Sequence, residues 1–157
     1  YRYLSLQGEY LYRKIKGELY EANTTDTSTS EIEKEQSGFY IKMLATIDGA
    51  GVPNSVVISS LAAMDEERVM FVLFKRSKTY TNLLKMKKFA ATILSPDQKE
   101  GYQIKGTIEE FHDKDPFFDQ VKAEVFKNSG MTIIGVAVGR VEEIYSIAMD
   151  DPGKRLV

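Results

Sequence analysis

Cysteine is absent from this chain of 157 residues, and histidine occurs once, as His112. Without cysteine there are no disulfides, no thiolate nucleophile and no metal site with cysteine ligands. A single histidine rules out zinc sites built from several histidines, and it argues against a Ser-His-Asp triad. Tryptophan is absent as well. We therefore expect neither a bound metal nor catalysis by a cysteine or a histidine triad.

A strong charge of one sign and long apolar runs are also missing. The chain has 21 Lys and Arg against 23 Asp and Glu, a net charge of −2, whereas a general nucleic-acid-binding domain is normally strongly basic. No stretch approaches the roughly 20 apolar residues that span a bilayer, and no basic-then-apolar leader is visible. The composition predicts a soluble cytoplasmic protein that binds neither nucleic acid nor membrane.

The order of apolar runs and turn residues predicts a single domain that is mainly β. Six runs have strand character, and two polar runs with helical spacing lie between them. The predicted strands are 39–47, 55–63, 69–74, 89–95, 101–112 and 132–148, and the predicted helices are 77–88 and one that begins at Asp115-Pro116. Mostly antiparallel short strands with inserted helices favour a small closed or nearly closed barrel.

The N-terminal part of the chain is less regular. Residues 1–28 mix Tyr, Leu and Ile with many charges, and they are assigned to a separate segment, a strand pair or a helix, of no stated role. A short acidic helix is predicted over EIEKEQ (31–36), because Ser28 or Ser30 can cap it and Gly38 can end it. The predicted domain therefore comprises residues 29–157.

The stretch LFKRSKTYTNLL (73–84) is the first candidate for a binding site. A buried strand ends there and a helix follows at once, with Arg76, Ser77, Lys78 and Thr79 at its start. The first backbone N–H groups of a helix lack partners, and the helix dipole is positive there. Ser77 is a good N-cap, and capping is the simpler interpretation. Cations beside a positive helix end oppose folding unless an anion binds between them, so phosphate binding is the second interpretation.

Four stretches of the chain occur in an order that is typical of one family: MLATIDGAGVPNSVVIS, VMFVLF, SKTYTNLL and GYQIKGTIEEF. From about residue 30 to the end, the chain thereby resembles the FMN-binding split-barrel family related to pyridoxamine 5'-phosphate oxidase. The resemblance implies a six-stranded antiparallel split β-barrel of Greek-key type with connecting helices. It also implies a homodimer with FMN at the subunit interface, and an FMN-dependent oxidoreductase of unidentified substrate and electron donor.

The resemblance further implies a set of cofactor contacts. In family members a basic residue and a hydroxyl after the third strand bind the FMN phosphate, while the second strand passes the flavin ring. The implied FMN-binding residues are Val57, Ile58, Ser59, Ser60, Ser77, Lys78, Thr79 and Gln103. Without the resemblance, Ser59 and Ser60 are small residues of a tight corner and Gln103 faces water. No catalytic side chain is assigned, and His112 is expected in solvent at a strand end.

One departure from the family concerns the substrate. Pyridoxamine phosphate oxidases carry a C-terminal segment with Trp and Arg that binds the substrate phosphate, whereas this chain lacks Trp and closes with DDPGKRLV. Lys154 and Arg155 are the only basic residues in this closing stretch, and they replace that segment poorly, so pyridoxamine phosphate is not the expected substrate. Two alternatives remain: a non-catalytic protein that stores, carries or senses FMN, and a related barrel that binds a deazaflavin or haem. The single histidine weakens the haem alternative.

Overall fold

The computed structural model describes residues 41–95, 99 and 101–156. Nine elements are described, listed here in chain order: β1 (Ile41–Ile47), β2 (Pro53–Val57), β3 (Leu61–Ala63), β4 (Arg68–Leu73), α1 (Lys78–Lys85), β5 (Lys88–Leu94), β6 (Gly101–His112), α2 (Pro116–Ser129) and β7 (Gly135–Ser146). The interpretations given for residues 1–28 and for the helix over 31–36 lie outside the described residues, and the domain boundary at residue 28 stays a prediction.

All seven strands form one antiparallel sheet in the order β2-β1-β5-β6-β7-β4-β3. The two edge strands, β2 and β3, are adjacent in the chain and are joined by residues 58–60 alone. A flat sheet of this size would separate its edges by about 29 Å, whereas the link between Val57 and Leu61 reaches at most about 14 Å. The sheet must therefore curl until its edges lie close together, which confirms the predicted antiparallel barrel with connecting helices.

The number of strands is seven rather than six, because the predicted strand 55–63 is two strands. β2 pairs with β1, and β3 pairs with β4 at the other edge of the sheet. Between them the chain changes partner: the Ile58 N–H donates to the Lys42 carbonyl at 2.9 Å, and the Ser60 hydroxyl donates to the Val72 carbonyl at 2.9 Å. The apolar run 55–63 is continuous in sequence, so it carries no sign of this change.

The inner face of the barrel follows the alternation of the strands. In β1, Lys42, Leu44 and Thr46 are buried, whereas Ile41 and Met43 are exposed on the outer side. Burial lowers the pKa of the Lys42 amine. Other fully buried side chains of this core come from β3 to β7 and from α1: Leu61, Phe71, Ala91, Ile93, Ile104, Ala137 and Leu83. Because Leu83 belongs to this core, α1 covers one end of the barrel against β1, β2, β5 and β6.

A second apolar cluster lies between α2 and the outer side of β4 and β7. Phe118 and Val121 of α2 pack there with Val72, Val136 and Val138. The strand β4 and the first part of β7 (135–139) are therefore buried on both faces, which explains their nearly continuous apolar sequences. No helix among the described residues is long and apolar enough to cross a membrane.

Both helices begin where their capping residues predict. The Ser77 hydroxyl accepts a hydrogen bond from the Tyr80 N–H at 3.2 Å, and the Asp115 carboxylate accepts one from the Phe118 N–H at 2.9 Å. Each cap satisfies one of the unpaired N–H groups in the first turn. The capping interpretation of Ser77 is thus confirmed.

Candidate functional site

The start of α1 lies beside the hairpin that joins β1 to β2. The Lys78 ammonium is 3.1 Å from Oδ2 of Asp48, and its side chain is 50% exposed. The other oxygen of Asp48 accepts hydrogen bonds from the N–H groups of Ala50 at 3.0 Å and Val52 at 2.9 Å. The Val52 hydrogen bond, followed by the Lys78 contact, holds the pKa of Asp48 below its usual range. Asp48 is therefore a fixed anion that holds the Lys78 side chain near the helix start.

A buried chain of polar side chains connects α1 with β1 and β2. The Asn82 amide donates to the Thr46 hydroxyl at 3.1 Å, and the Asn54 amide donates to Thr46 at 3.4 Å and to the Thr79 hydroxyl at 3.0 Å. Asn82, Thr46 and Thr79 are each at least nine-tenths buried. Since buried polar groups are costly unless they are hydrogen-bonded, this network fixes the start of the helix against the two strands.

Two backbone N–H groups at the start of α1 have no acceptor among the described residues. They belong to Lys78 and Thr79, because the Tyr80 N–H is bound by the Ser77 hydroxyl and the Thr81 N–H by the Ser77 carbonyl. Both groups lie at the positive end of the helix dipole, next to the Lys78 ammonium. This arrangement is suited to hold an anion such as a phosphate.

The sheet register places two of the predicted flavin contacts on one face. Val57, Met43, Thr92, Gln103 and Tyr145 are directly paired across β2, β1, β5, β6 and β7. Directly paired residues point to the same side of a sheet, which here is the outer side. We call this set the outer row. Val57 is 75% exposed, and Gln103 lies three strands away, at about 14 Å.

The three residues that join β2 to β3 occupy different environments. Ile58 packs against the inner core, Ser59 is exposed, and the Ser60 hydroxyl is bound to the Val72 carbonyl. Among the described residues, no hydrogen bond or ion pair joins them to Lys78 or Thr79. The structure therefore unites the helix-start residues with the β1–β2 hairpin and places Val57 and Gln103 together on the outer row. That all eight predicted residues contact FMN stays a prediction.

Two residues of the site were missed by sequence analysis. Asp48 and Asn54 belong to the stretch DGAGVPN, which was interpreted only as a turn. Their contacts with Lys78 and Thr79 join residues 30 and 25 positions apart. Asn54 carried one usable signal, because it occupies an inward position in the alternation of β2, where an apolar residue is the rule.

The single histidine is held at both ring nitrogens. Nδ1 of His112 lies 2.7 Å from the Asp115 carboxylate and Nε2 lies 3.0 Å from the Glu110 carboxylate, while Phe117 packs edge-on against the ring at 4.8 Å. The His112 side chain is only 18% exposed, so the expectation that it lies in solvent was wrong. The ring instead connects the end of β6 to the cap of α2. No group of three or more potential metal ligands occurs among the described residues.

Comparison with known families identifies the class of the protein. The family model described as pyridoxamine 5'-phosphate oxidase matches residues 28–147. The chain therefore belongs to the pyridoxamine 5'-phosphate oxidase family, which confirms the resemblance noted from the sequence.

Solved structures show the same fold. HupZ of Group A Streptococcus superposes with a TM-score of 0.65 at 19% identity, covering 80% of this chain and 98% of HupZ. An FMN-binding protein from Syntrophomonas wolfei subsp. wolfei gives a TM-score of 0.60 at 19% identity, covering 95% and 99%. An F420 reductase gives 0.54 at 17% identity, covering 74% and 97%. At these identities the likeness concerns the fold alone.

A curated protein with a closer local match comes from Aquifex aeolicus (strain VF5), where it is described only as uncharacterized. It is 46% identical to this chain over 48 residues, which make up 31% of this chain. The same residues make up 9% of the Aquifex protein, so the chain spans only a small part of that relative.

Proposed function

We propose that this chain binds FMN and acts as an FMN-dependent oxidoreductase on a small molecule. The observation that carries the proposal is the start of α1, where the positive helix end and the Lys78 ammonium converge with two N–H groups that have no acceptor in the described part of the chain. A phosphate group suits all three, and a phosphate is what distinguishes FMN from riboflavin. The family and the fold shared with an FMN-binding protein support a flavin phosphate over other phosphates.

Three residues would hold the phosphate. Lys78 supplies a charge, and Thr79 supplies a hydroxyl and a backbone N–H group. Ser77 caps the helix by accepting a hydrogen bond, so its own hydroxyl hydrogen remains free to donate to an anion. We call Lys78 and Thr79, with their backbone N–H groups, the phosphate clamp. When the anion enters, Lys78 must share its contact between the phosphate and Asp48.

The outer row is the proposed surface for the flavin ring. A ring of this kind needs an apolar slot with a few oriented polar groups, and the row combines Val57 and Met43 with Thr92 and Gln103. Bound FMN supplies hydride or single-electron transfer, so the protein has to bind the ring, orient it and limit its contact with water. No side chain of this surface is assigned a proton-transfer role.

A second copy of the chain is proposed to cover this surface. Four apolar side chains are exposed on the outer side of β1 and β2: Ile41, Met43, Ile47 and Val57. An apolar patch of this kind on a small protein marks an interface, and twofold pairs are the commonest oligomers. The proposed homodimer would place the flavin ring between subunits. Light scattering at micromolar concentration tests it, and a monomer would contradict it.

The central test is a pair of titrations of the purified chain, one with FMN and one with riboflavin. The proposal expects tighter binding of FMN, because only FMN can occupy the phosphate clamp. Equal affinities would refute the clamp. Addition of NADH or NADPH to the FMN complex without oxygen then tests for an oxidoreductase. Loss of the flavin absorption bands supports it, whereas binding without reduction by either nucleotide identifies a flavin carrier or sensor.

The visible spectrum of the purified protein separates the remaining cofactors. A deazaflavin is the alternative that the likeness to an F420 reductase favours, and its spectrum differs from that of FMN. A haem held by histidine is disfavoured, because both ring nitrogens of His112 are engaged by carboxylates. A haem spectrum would overturn the FMN proposal.

A further inference from the structure

The hydroxyl of Thr79 is buried and only partly satisfied. Thr79 is 6% exposed, and its oxygen accepts a hydrogen bond from the Asn54 amide at 3.0 Å. A hydroxyl has one hydrogen to donate in addition to the lone pairs that accept. No oxygen among the described residues accepts a hydrogen bond from Thr79. Buried donors are nearly always paired, so the unpaired hydrogen of Thr79 indicates a missing acceptor.

In the contact between Asn54 and Thr79, the NH2 group of the amide faces the hydroxyl. The NH2 group of an amide only donates, so the Thr79 oxygen has to be the acceptor in this bond. The same amide also donates to Thr46, which accepts a second bond from Asn82. All hydrogen bonds of this network therefore run from an amide to a hydroxyl. While the Asn54 amide donates to the Thr79 oxygen, Thr79 cannot donate its own hydroxyl hydrogen to Asn54 in the same contact.

We propose that Asn54 is a positioning residue of the phosphate clamp. By donating to the Thr79 oxygen, Asn54 keeps the Thr79 hydrogen available for an anionic oxygen at the start of α1. The consequence is selectivity, because a flavin with a phosphate gains this hydrogen bond and riboflavin does not. The inference rests on the proposed function, since it assigns Asn54 a role in the same site. Asn54 itself is half-buried on an edge strand, and its side chain faces inward.

The test is a double-mutant cycle on the full chain, with dissociation constants measured for FMN and for riboflavin. Asn54→Ala is expected to weaken FMN about three- to tenfold and riboflavin less than about twofold. In a Thr79→Val background the same substitution is expected to have no further effect on FMN, because the hydroxyl through which it acts is gone. Asn54→Asp is expected to weaken FMN more than Asn54→Ala, since a carboxylate accepts the Thr79 hydrogen.

Asn82→Ala is the matched control. It removes the other amide donor of the network and leaves the contact between Asn54 and Thr79 in place. Its expected effect is a lower melting temperature with an unchanged ratio of FMN to riboflavin affinity. If Asn82→Ala does not fold, Thr46→Val, which also spares the Thr79 contact, replaces it.

The outcomes separate this inference from the proposed function. If the wild type does not prefer FMN over riboflavin, the phosphate clamp is refuted, and the role of Asn54 falls with it. If the wild type prefers FMN but the effects of Asn54→Ala and Thr79→Val on FMN simply add, Asn54 does not act through Thr79. The same holds if the Asn82 or Thr46 control lowers the FMN preference as much as Asn54→Ala does. In both cases the inference is overturned while the clamp stands.

Discussion

Lys78→Ala is the substitution that most directly tests the phosphate clamp. A hydrogen bond to a charged group contributes about 1.5–3 kcal/mol. The lower end of this range applies here, because the Lys78 side chain is 50% exposed and already has Asp48 as a partner at 3.1 Å. A loss of about 1.5 kcal/mol weakens FMN binding roughly tenfold. Riboflavin, which has no phosphate, should bind the variant and the wild type with equal affinity.

The stability of the Lys78→Ala variant should change little. The ion pair with Asp48 is exposed, and such pairs contribute about 0–1 kcal/mol. Its loss is partly offset because a cation at a helix start opposes the dipole. Ser77→Ala differs in its effect on stability: loss of the cap is expected to cost about 1 kcal/mol, in addition to any hydrogen bond that the Ser77 hydroxyl donates to the phosphate. A lower melting temperature for Ser77→Ala but not for Lys78→Ala therefore distinguishes capping from phosphate binding.

Lys85→Ala is the charge-matched control, because it removes the same charge from the last turn of the same helix. FMN affinity should stay at the wild-type value, while stability should fall slightly, since a cation is favourable at a helix C-terminus. The reasoning would be refuted if Lys78→Ala and Lys85→Ala weakened FMN equally. It would also fail if Lys78→Ala weakened FMN and riboflavin by the same factor.

Three further changes test other contacts. Asp48→Asn keeps the side-chain oxygen that closes the turn but removes the negative charge beside Lys78. Titration should then show FMN binding roughly two- to fivefold more tightly, because Lys78 no longer shares its contact with a carboxylate. Weaker binding would contradict this and would show that Asp48 favours binding of the anion. The Phe118 N–H is the main group that holds the pKa of Asp115 below its ordinary value of 3.8. The stability that Asp115 gives to the folded state is therefore complete above about pH 4 and is lost as the pH falls through the lowered pKa. Thermal melts should show that the stability of Asp115→Asn depends less on acid pH than that of the wild type, and identical curves would contradict this. Gly106→Ala places a methyl group 1.9 Å from a backbone carbonyl oxygen and should lower the free energy of unfolding in urea by about 1–3 kcal/mol, whereas Gly49→Ala, which meets only a flexible side chain at 3.9 Å, should have far less effect.

Local patterns in the sequence were sufficient to predict most of the fold. Strand alternation and capping act between residues a few positions apart, so the starts of both helices at Ser77 and Asp115 could be predicted directly. The pattern of strands and helices predicted a closed or nearly closed barrel, and the order of the elements predicted the family. The break within 55–63 could not be predicted, because it depends on which strands β2 and β3 pair with, and those partners are chosen when the barrel closes.

The site was predictable only in its local half. Lys78 and Thr79 follow a buried strand and begin a helix, and both facts are visible within a dozen residues. Their partners Asp48 and Asn54 lie 30 and 25 residues earlier in the chain, and only the closed barrel brings them within 3.1 and 3.0 Å. The prediction that His112 lies in solvent was wrong for the same kind of reason, since the environment of the ring depends on the turn that leads into α2 and on the side chain of Glu110.

The short link between β2 and β3 has a consequence for how the protein folds. The β1–β2 and β3–β4 hairpins close through local turns, and hairpins of this kind form within microseconds. The pairings of β1 with β5 and of β4 with β7 join distant parts of the chain and are expected to form later. Because residues 58–60 tether the two hairpins, each stays within a few residues' reach of the other during this slower search. This short link reduces the chain entropy that is lost when the barrel closes. We therefore expect a longer link to slow folding more than it lowers stability.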